Sequence, residues 1–174
     1  MSDLNKIIAQ LDRAISYLQN DAKTIIGVEA TNHFKDSFTN QGFTDGRLEK
    51  WDEVERRKPT SSWKGFQYGS NAANGKKRRK PSSPTNYSPS AETRPILSGP
   101  TGELMNSIQW EKTARGVRVF AATAYAKIQN EGGPMKIFGK TAGIMPKRQY
   151  MGPSKVLTDR IKRILLKDLT TILR

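Results

Sequence analysis

The chain of 174 residues contains no cysteine and a single histidine, His33. The absence of cysteine excludes disulfides, thiolate chemistry and cysteine-based metal sites, and it fits assembly in a reducing cytosol. With one histidine, a zinc site would need clustered carboxylates, which the sequence does not show. Because His33 stands beside Phe34 in a helical pattern, we expect a partly buried helix residue rather than a ligand or a base.

Long apolar runs are also missing. No run approaches the roughly 18 residues that a membrane span requires, and the first residues lack the apolar stretch of a signal peptide. We therefore expect a soluble protein made in the cytosol, with no membrane partner.

Hydrophobic residues make up only 35% of the chain, which is low for a compact globule. They concentrate in residues 4–38, 96–128 and 156–173 and are nearly absent between 52 and 95. This distribution predicts one domain built from residues 1–51 and 94–174, with residues 52–93 as an extended basic arm.

The positive charge is concentrated in that arm. The formal net charge is +14, and residues 56–94 carry ten Lys and Arg against a single acid, Glu92. A mobile cationic segment implies a polyanionic neighbour such as DNA, RNA, an acidic protein surface or anionic lipid. The residues predicted to contact a partner or nucleic acid are Arg56, Arg57, Lys58, Trp63, Lys76, Lys77, Arg78, Arg79 and Lys80.

The run at 76–80 is the main nucleic-acid signal. Five cations there would bind phosphates without sequence preference and with strong salt dependence. A solvated tract or a contact with an acidic protein explains the same run, and we favour the protein contact over non-specific binding of genomic DNA.

Apolar spacings of three and four residues predict a long N-terminal helix that begins near residue 4 and continues to Phe38. The pattern leaves open whether this is one bent helix or two helices separated at Asn20. Gly42 is expected to end the helical region. Near the other end, Pro153 and Ser154 precede a second amphipathic helix with Lys and Arg on its polar face.

Between the helical regions, alternating residues predict a strand at 107–113 and a return strand after a turn at Gly116. A short helical turn at 124–130 should follow, and the glycines and proline at 132–134 should end it. We expect a small, mostly antiparallel sheet from about 107 to 145, with the long N-terminal helix and the C-terminal helix packed on it. The predicted fold class is therefore α+β.

The nearest approach to a catalytic motif is the Gly-Lys-Thr sequence at 139–141, which resembles the end of a phosphate-binding loop. Pro134 stands where the first glycine of that loop must be, and proline lacks the backbone N–H that would bind phosphate. No serine lies in a nucleophile-elbow pattern. We expect no enzyme activity and no cofactor.

Five short stretches occur in a characteristic order. They are 43–51, 96–108 with Thr-Gly-x-Leu-x-x-Ser-Ile, 125–133 with Tyr-Ala-x-Ile-Gln-Asn-x-Gly-Gly, 145–152, and the terminal amphipathic helix. Together they resemble the virion-morphogenesis (tail-completion) family of tailed bacteriophages over residues 1–51 and 94–174. The sequence departs from that family at Gln129, where histidine is more usual, and in the length of the basic insertion. The matching structural residues are Trp51, Gly102, Leu104, Ile108, Tyr125, Ala126, Gly132, Pro146 and Gly152.

The resemblance implies packing roles and no catalytic residues. Gly102 should allow a tight turn, while Leu104 and Ile108 should lie on one buried side. Tyr125 and Ala126 should pack the returning strand against the terminal helix. Pro146 and Pro153 should fix the start of that helix.

The function implied by the resemblance is that of a structural tail-completion (tail-terminator) protein. Such a protein caps the tail tube and prepares it for head joining, as a homo-oligomeric ring of six copies around the DNA channel. Its partners would be tail-tube and head–tail connector proteins, and its location the tail terminus or neck of the virion. A head–tail connector protein and a non-specific nucleic-acid-binding protein are the alternatives.

Overall fold

The computed structural model describes residues 3–66, 88–99, 101–137 and 140–174. Their helices are α1 (Asp3–Gln19), α2 (Asp21–Asn40), α3 (Pro89–Thr93), α4 (Glu103–Asn106), α5 (Ala126–Glu131) and α6 (Lys155–Ile172), with a 3₁₀ turn at Glu55–Arg57. Their strands are β1 (Gly42–Thr44), β2 (Leu48–Lys50), β3 (Ile108–Thr113), β4 (Gly116–Ala121), β5 (Gly133–Ile137) and β6 (Lys140–Met145). The α+β prediction is confirmed. The strands form three separate antiparallel pairs, β1–β2, β3–β4 and β5–β6, instead of the single sheet that was expected.

The N-terminal region consists of two helices that meet at Asn20. Asn20 keeps right-handed but distorted backbone angles, φ −116° and ψ −66°, and its N–H still donates to the Ser16 carbonyl while its own carbonyl accepts from Thr24. Both helices contact α6, so they lie one after the other along it. This settles the alternative between one helix and two that the apolar spacing left open.

The end of α2 differs from the prediction. Gln41, not Gly42, takes the left-handed conformation that ends the helix, with φ 50° and ψ 48°. Gly42 begins β1, where a Cβ atom would stand 2.4 Å from the Glu49 carbonyl oxygen. The glycine is therefore required by the close approach of β2 and not by helix termination.

The core lies between α2 and the segments that lead into and out of the strand pairs. Phe38 packs against Trp51 and Tyr150, with ring centroids 5.8 and 5.1 Å away. Burial of each such side chain contributes about 1.5–3 kcal/mol. The buried cluster contains Ala30, Phe34, Phe38, Phe43, Trp51, Ile96, Leu104, Ile108, Ala126, Tyr150 and Leu157.

His33 is a buried member of α2, which agrees with its predicted structural role. Its Nε2 lies 2.9 Å from the Thr44 carbonyl oxygen. Because a carbonyl can only accept, Nε2 must carry the proton. The ring also makes edge contacts with Phe34 and Phe43.

The β3–β4 hairpin packs on α2. Its register runs from Ile108 opposite Ala121 to Thr113 opposite Gly116, so the turn residues are 114 and 115 and Gly116 is already in the return strand. Lys23 of α2 donates to the Thr113 carbonyl at 2.9 Å, which fixes this end of the hairpin.

Helix α6 begins where the sequence indicated. The Ser154 hydroxyl accepts from the Leu157 N–H at 3.2 Å and donates to the Thr44 carbonyl at 2.8 Å, so one side chain caps the helix and attaches it to β1. Further along, the Tyr17 hydroxyl donates to Asp168 at 2.7 Å. Burial, followed by this hydrogen bond, raises the pKa of Tyr17 to about 12.

Trp110 of β3 covers Gly27 of α2, and this contact generates a stability prediction. A Cβ atom on Gly27 would stand 2.2 Å from Cδ2 of the indole. Gly27→Ala should therefore lower the free energy of unfolding by about 1–3 kcal/mol, as overpacking does, despite the better helix propensity of alanine. Urea unfolding followed by circular dichroism measures the change.

Gly46→Ala is the matched control, because a Cβ there meets nothing within 4 Å. It should change the free energy of unfolding by less than about 0.5 kcal/mol. Equal effects of the two substitutions would contradict the packing of β3 on α2.

Candidate partner-binding site

The two ends of the predicted arm lie against each other. The arm was expected to project from residue 52 onwards, and its first described part does not. The Gly65 N–H donates to the Arg56 carbonyl at 2.8 Å, and the Ser88 N–H donates to the Gly65 carbonyl at 2.8 Å. Ala91 of α3 is fully buried. Lys64 forms an ion pair with Glu92 at 3.5 Å. Residues 52–66 and 88–93 thus belong to the folded body.

The three predicted contact cations at 56–58 have partners within the chain. Arg56 donates to the carbonyls of Ala91, Arg94 and Pro95. Arg57 donates to Gln41 Oε1 at 2.5 Å and pairs with Glu53 at 3.3 Å.

Lys58 pairs with Glu55 at 2.6 Å. The hydrogen bonds of Arg56 hold the two ends of the insertion together, a role that the sequence did not reveal because Arg56 and its acceptors are more than 30 residues apart. The other predicted cations, Lys76, Lys77, Arg78, Arg79 and Lys80, lie outside the described residues.

The residues singled out by the resemblance divide into core and backbone positions. Trp51, Leu104, Ile108 and Ala126 all belong to the buried cluster, as predicted for Leu104 and Ile108. The Trp51 indole N–H also donates to the Gln149 carbonyl at 2.7 Å.

Gly102 adopts φ 65°, in agreement with the predicted tight turn. At Gly132, with φ 71°, a Cβ would stand 2.8 Å from the Lys147 backbone nitrogen, so this position holds two chain segments at close approach. Gly152 lies near Gln149 and the Phe43 ring. Pro146 is exposed.

Tyr125 does not pack the hairpin against α6 as predicted. It is 39% exposed, and its hydroxyl donates to Glu103 at 2.8 Å. Burial, followed by the hydrogen bond to Glu103, raises its pKa. Tyr125 therefore faces the same open region as α4.

That region is a cleft of about 640 Å³ between the base of the insertion, α4, α5 and the chain after β6. Its walls are partly aromatic and apolar: Trp63, Phe66, Leu97, Leu104, Tyr125 and Met145. Trp63 is 44% exposed and meets Phe66 edge to face at 5.0 Å. The arrangement of apolar walls with a few polar groups is typical of a ligand-binding site.

Two side chains in the cleft wall each have one buried polar atom without a partner among the described residues. They are Arg148, whose Nε has no acceptor, and Gln129, whose Oε1 has no donor. Arg148 is only 8% exposed. Burial lowers its pKa, against the smaller opposite influence of Asp52 and Glu53. The only sequence signal for this residue is its place in the stretch 145–152.

A second open surface lies on α1. The helix packs on α6 through Gln10, which donates to the Leu173 carbonyl at 3.1 Å, and Tyr17, which donates to Asp168 at 2.7 Å, and Ala14 on the same side is buried. The predicted apolar stripe lies on a different side of α1. At about 100° per residue, it is centred roughly 100° around the helix axis from the side that packs on α6. Its six residues are 46–64% exposed: Leu4, Ile7, Ile8, Leu11, Ile15 and Leu18. The N-terminal helix was expected to pack on the sheet, but over α1 its apolar stripe is exposed instead.

Comparison with known protein families, curated proteins and solved structures finds no match to the chain. Within the described ranges, no three His, Asp or Glu residues lie close enough together to hold a metal ion. None of the described helices is long and apolar enough to cross a membrane.

Proposed function

We propose that this chain is a structural tail-completion protein of a tailed bacteriophage. It caps the tail tube and prepares it for joining to the head, as part of a ring of copies around the DNA channel. The family identity rests on the five ordered stretches in the sequence. It is supported by the packing of Trp51, Leu104, Ile108 and Ala126, which come from three of those stretches, into one cluster.

The observation that carries an assembly role is the exposed stripe of α1. Six half-exposed aliphatic side chains form a patch on the order of 300–600 Å², the size of the largest apolar patch on a typical monomer, which is often functional. An apolar face that is left open within a single chain is expected on a subunit whose neighbour covers that face. We therefore place the main protein contact on α1.

The occupant that we propose for this face is a second copy of the chain, α1 against α1. Five stripe residues follow a heptad, with Ile8 and Ile15 at the a positions and Leu4, Leu11 and Leu18 at the d positions. Ile at a with Leu at d favours two parallel helices.

Charge also favours a second copy. The helix carries two acids and two bases, so it is neutral in a chain of net charge +14. A second α1 meets no repulsion there, whereas DNA or an acidic partner finds no excess of cations.

Two heptads are too few for an independent coiled coil. The patch also falls short of the roughly 800 Å² per partner of a stable interface. The pairing should therefore be weak and concentration-dependent in the free protein. Because it is a two-fold contact, a ring requires a second, head-to-tail contact as well.

A phage with an early stop codon in this gene tests the proposed function. Electron microscopy of the lysate should show filled heads beside separate tails, or tails of abnormal length. A wild-type copy supplied in trans should restore virions. Intact virions of normal tail length without the protein would overturn the assignment.

The double substitution of Leu11→Asp and Ile15→Asp tests the α1 pairing. Sedimentation of the wild-type chain should show a shift with concentration towards twice the 19.5 kDa chain mass. The substituted chain should remain at the single mass, because each Asp buries a charge in the contact.

The matched control is Ala9→Asp with Ser16→Asp, which places the same charges on the opposite, exposed side of α1. It should pair like the wild type. A wild-type chain that stays single at every concentration, or equal loss of pairing in both variants, would contradict the role of the stripe.

A further inference from the structure

The cleft beside α4 and α5 holds a buried cation, Arg148, that forms no direct ion pair among the described residues. Arg148 is 8% exposed, and its guanidinium makes neither a hydrogen bond nor an ion pair within 4.0 Å among the described residues. The two other arginines of the cleft differ. Arg56 is occupied by three carbonyl groups, and Arg94 is less buried.

Such an arrangement is unfavourable for a chain on its own. Buried polar groups in folded proteins nearly always have partners, and a buried charge without one is destabilising. The planar guanidinium offers parallel N–H donors that match the two oxygens of a carboxylate. An anion in the cleft would therefore satisfy a group that the chain leaves open.

The acids around the cleft do not pair directly with Arg148. Asp52 and Glu53 partly offset the lowering of its pKa by burial, but neither forms an ion pair with it. Glu55 is paired with Lys58, and Glu103 accepts the hydrogen bond from Tyr125. The second open group, Gln129 Oε1, is an acceptor. It requires a donor, such as a peptide N–H, rather than an anion.

The remaining walls indicate what accompanies the anion. Trp63, Leu97 and Leu104 line the cleft with apolar surface. A peptide supplies all three groups together: a carboxylate for Arg148, an N–H for Gln129 and an apolar side chain for these walls. Duplex DNA fits poorly, because its phosphates lie on the outside of a stiff rod that cannot enter a cleft of about 640 Å³.

We propose that this cleft binds a peptide segment of a partner protein that carries a carboxylate beside an apolar side chain. Arg148 binds the carboxylate, Gln129 accepts a peptide N–H, and Trp63 packs on the apolar group. This deepens the proposed function, on which it rests for the identity of the partner, by naming the chemistry that the partner presents.

Calorimetric titration of the purified full chain with two blocked dipeptides tests the proposal. Acetyl-Phe-Asp-amide should bind at least tenfold more tightly than the isosteric acetyl-Phe-Asn-amide. Arg148→Gln should abolish this preference. The control Arg47→Gln, which removes the same charge from an exposed loop position, should leave it unchanged.

Inorganic phosphate provides the competing ligand. If phosphate binds as tightly as the acidic dipeptide, the cleft is an anion site without peptide preference and the proposal is wrong. If neither dipeptide binds to the wild-type chain, the proposal is also wrong. The particle experiment above uses neither ligand, so it can still succeed or fail on its own.

The stability of the variant distinguishes a binding arginine from a structural one. With no ligand present, Arg148→Gln should raise the Tm, because it removes an unpaired buried charge. A fall in Tm would show that the arginine holds the fold together and would overturn its assignment as an open binding group.

Trp63→Ala provides a second test that does not touch the buried charge. Trp63 is partly exposed, so the substitution should leave the fold intact. It should weaken both dipeptides by a similar factor while preserving the preference for Asp over Asn. Unchanged affinity for both would place the apolar group elsewhere and contradict the proposal.

Discussion

The fold depends on how the irregular chain at 146–154 is buried. This segment follows β6 and has no strand partner, so its backbone groups must be satisfied individually. Asn130 Oδ1 accepts from the N–H groups of both Tyr150 and Met151 at 2.9 Å. Ser37 donates to the Tyr150 carbonyl at 3.2 Å, and Trp51 donates to that of Gln149.

Tyr150 is the centre of this arrangement. It is 1% exposed, and its hydroxyl donates to the Ala126 carbonyl at 3.1 Å. Burial raises its pKa to about 12, so it stays a neutral donor at physiological pH. Because α2, α5 and the chain after β2 all bond to this segment, the segment positions both the start of α6 and the cleft around Arg148.

The elements that could be predicted from the sequence are those set by local patterns. Apolar spacing predicted α2 and α6, Ser154 indicated the start of α6, and alternation predicted the β3–β4 hairpin. The single sheet was not found, because strand pairing between hairpins depends on long-range contacts that alternation does not encode. The end of α2 was misplaced by one residue, since a glycine required by β2 was read as a helix terminator.

The candidate site was less predictable than the fold. The stripe on α1 was visible, but periodicity gives the apolar face and not its partner, and α6 packs beside it through Ala14 and Tyr17. Arg56 carries the charge of a contact surface, yet its acceptors lie 35 to 39 residues away in the chain. Arg148 could not be distinguished from other arginines, because burial without a partner is a property of the folded chain.

In the proposed function, the α1 stripe and Arg148 are both covered by protein neighbours, as in an assembly subunit at the end of a tail. A cryo-electron microscopy reconstruction of the tail terminus of the virion tests this most directly. We expect copies of this chain at that position, with the Leu11 and Ile15 side of α1 covered by a second copy. Absence of the chain from the tail end, or an α1 stripe open to solvent in the assembled particle, would contradict it.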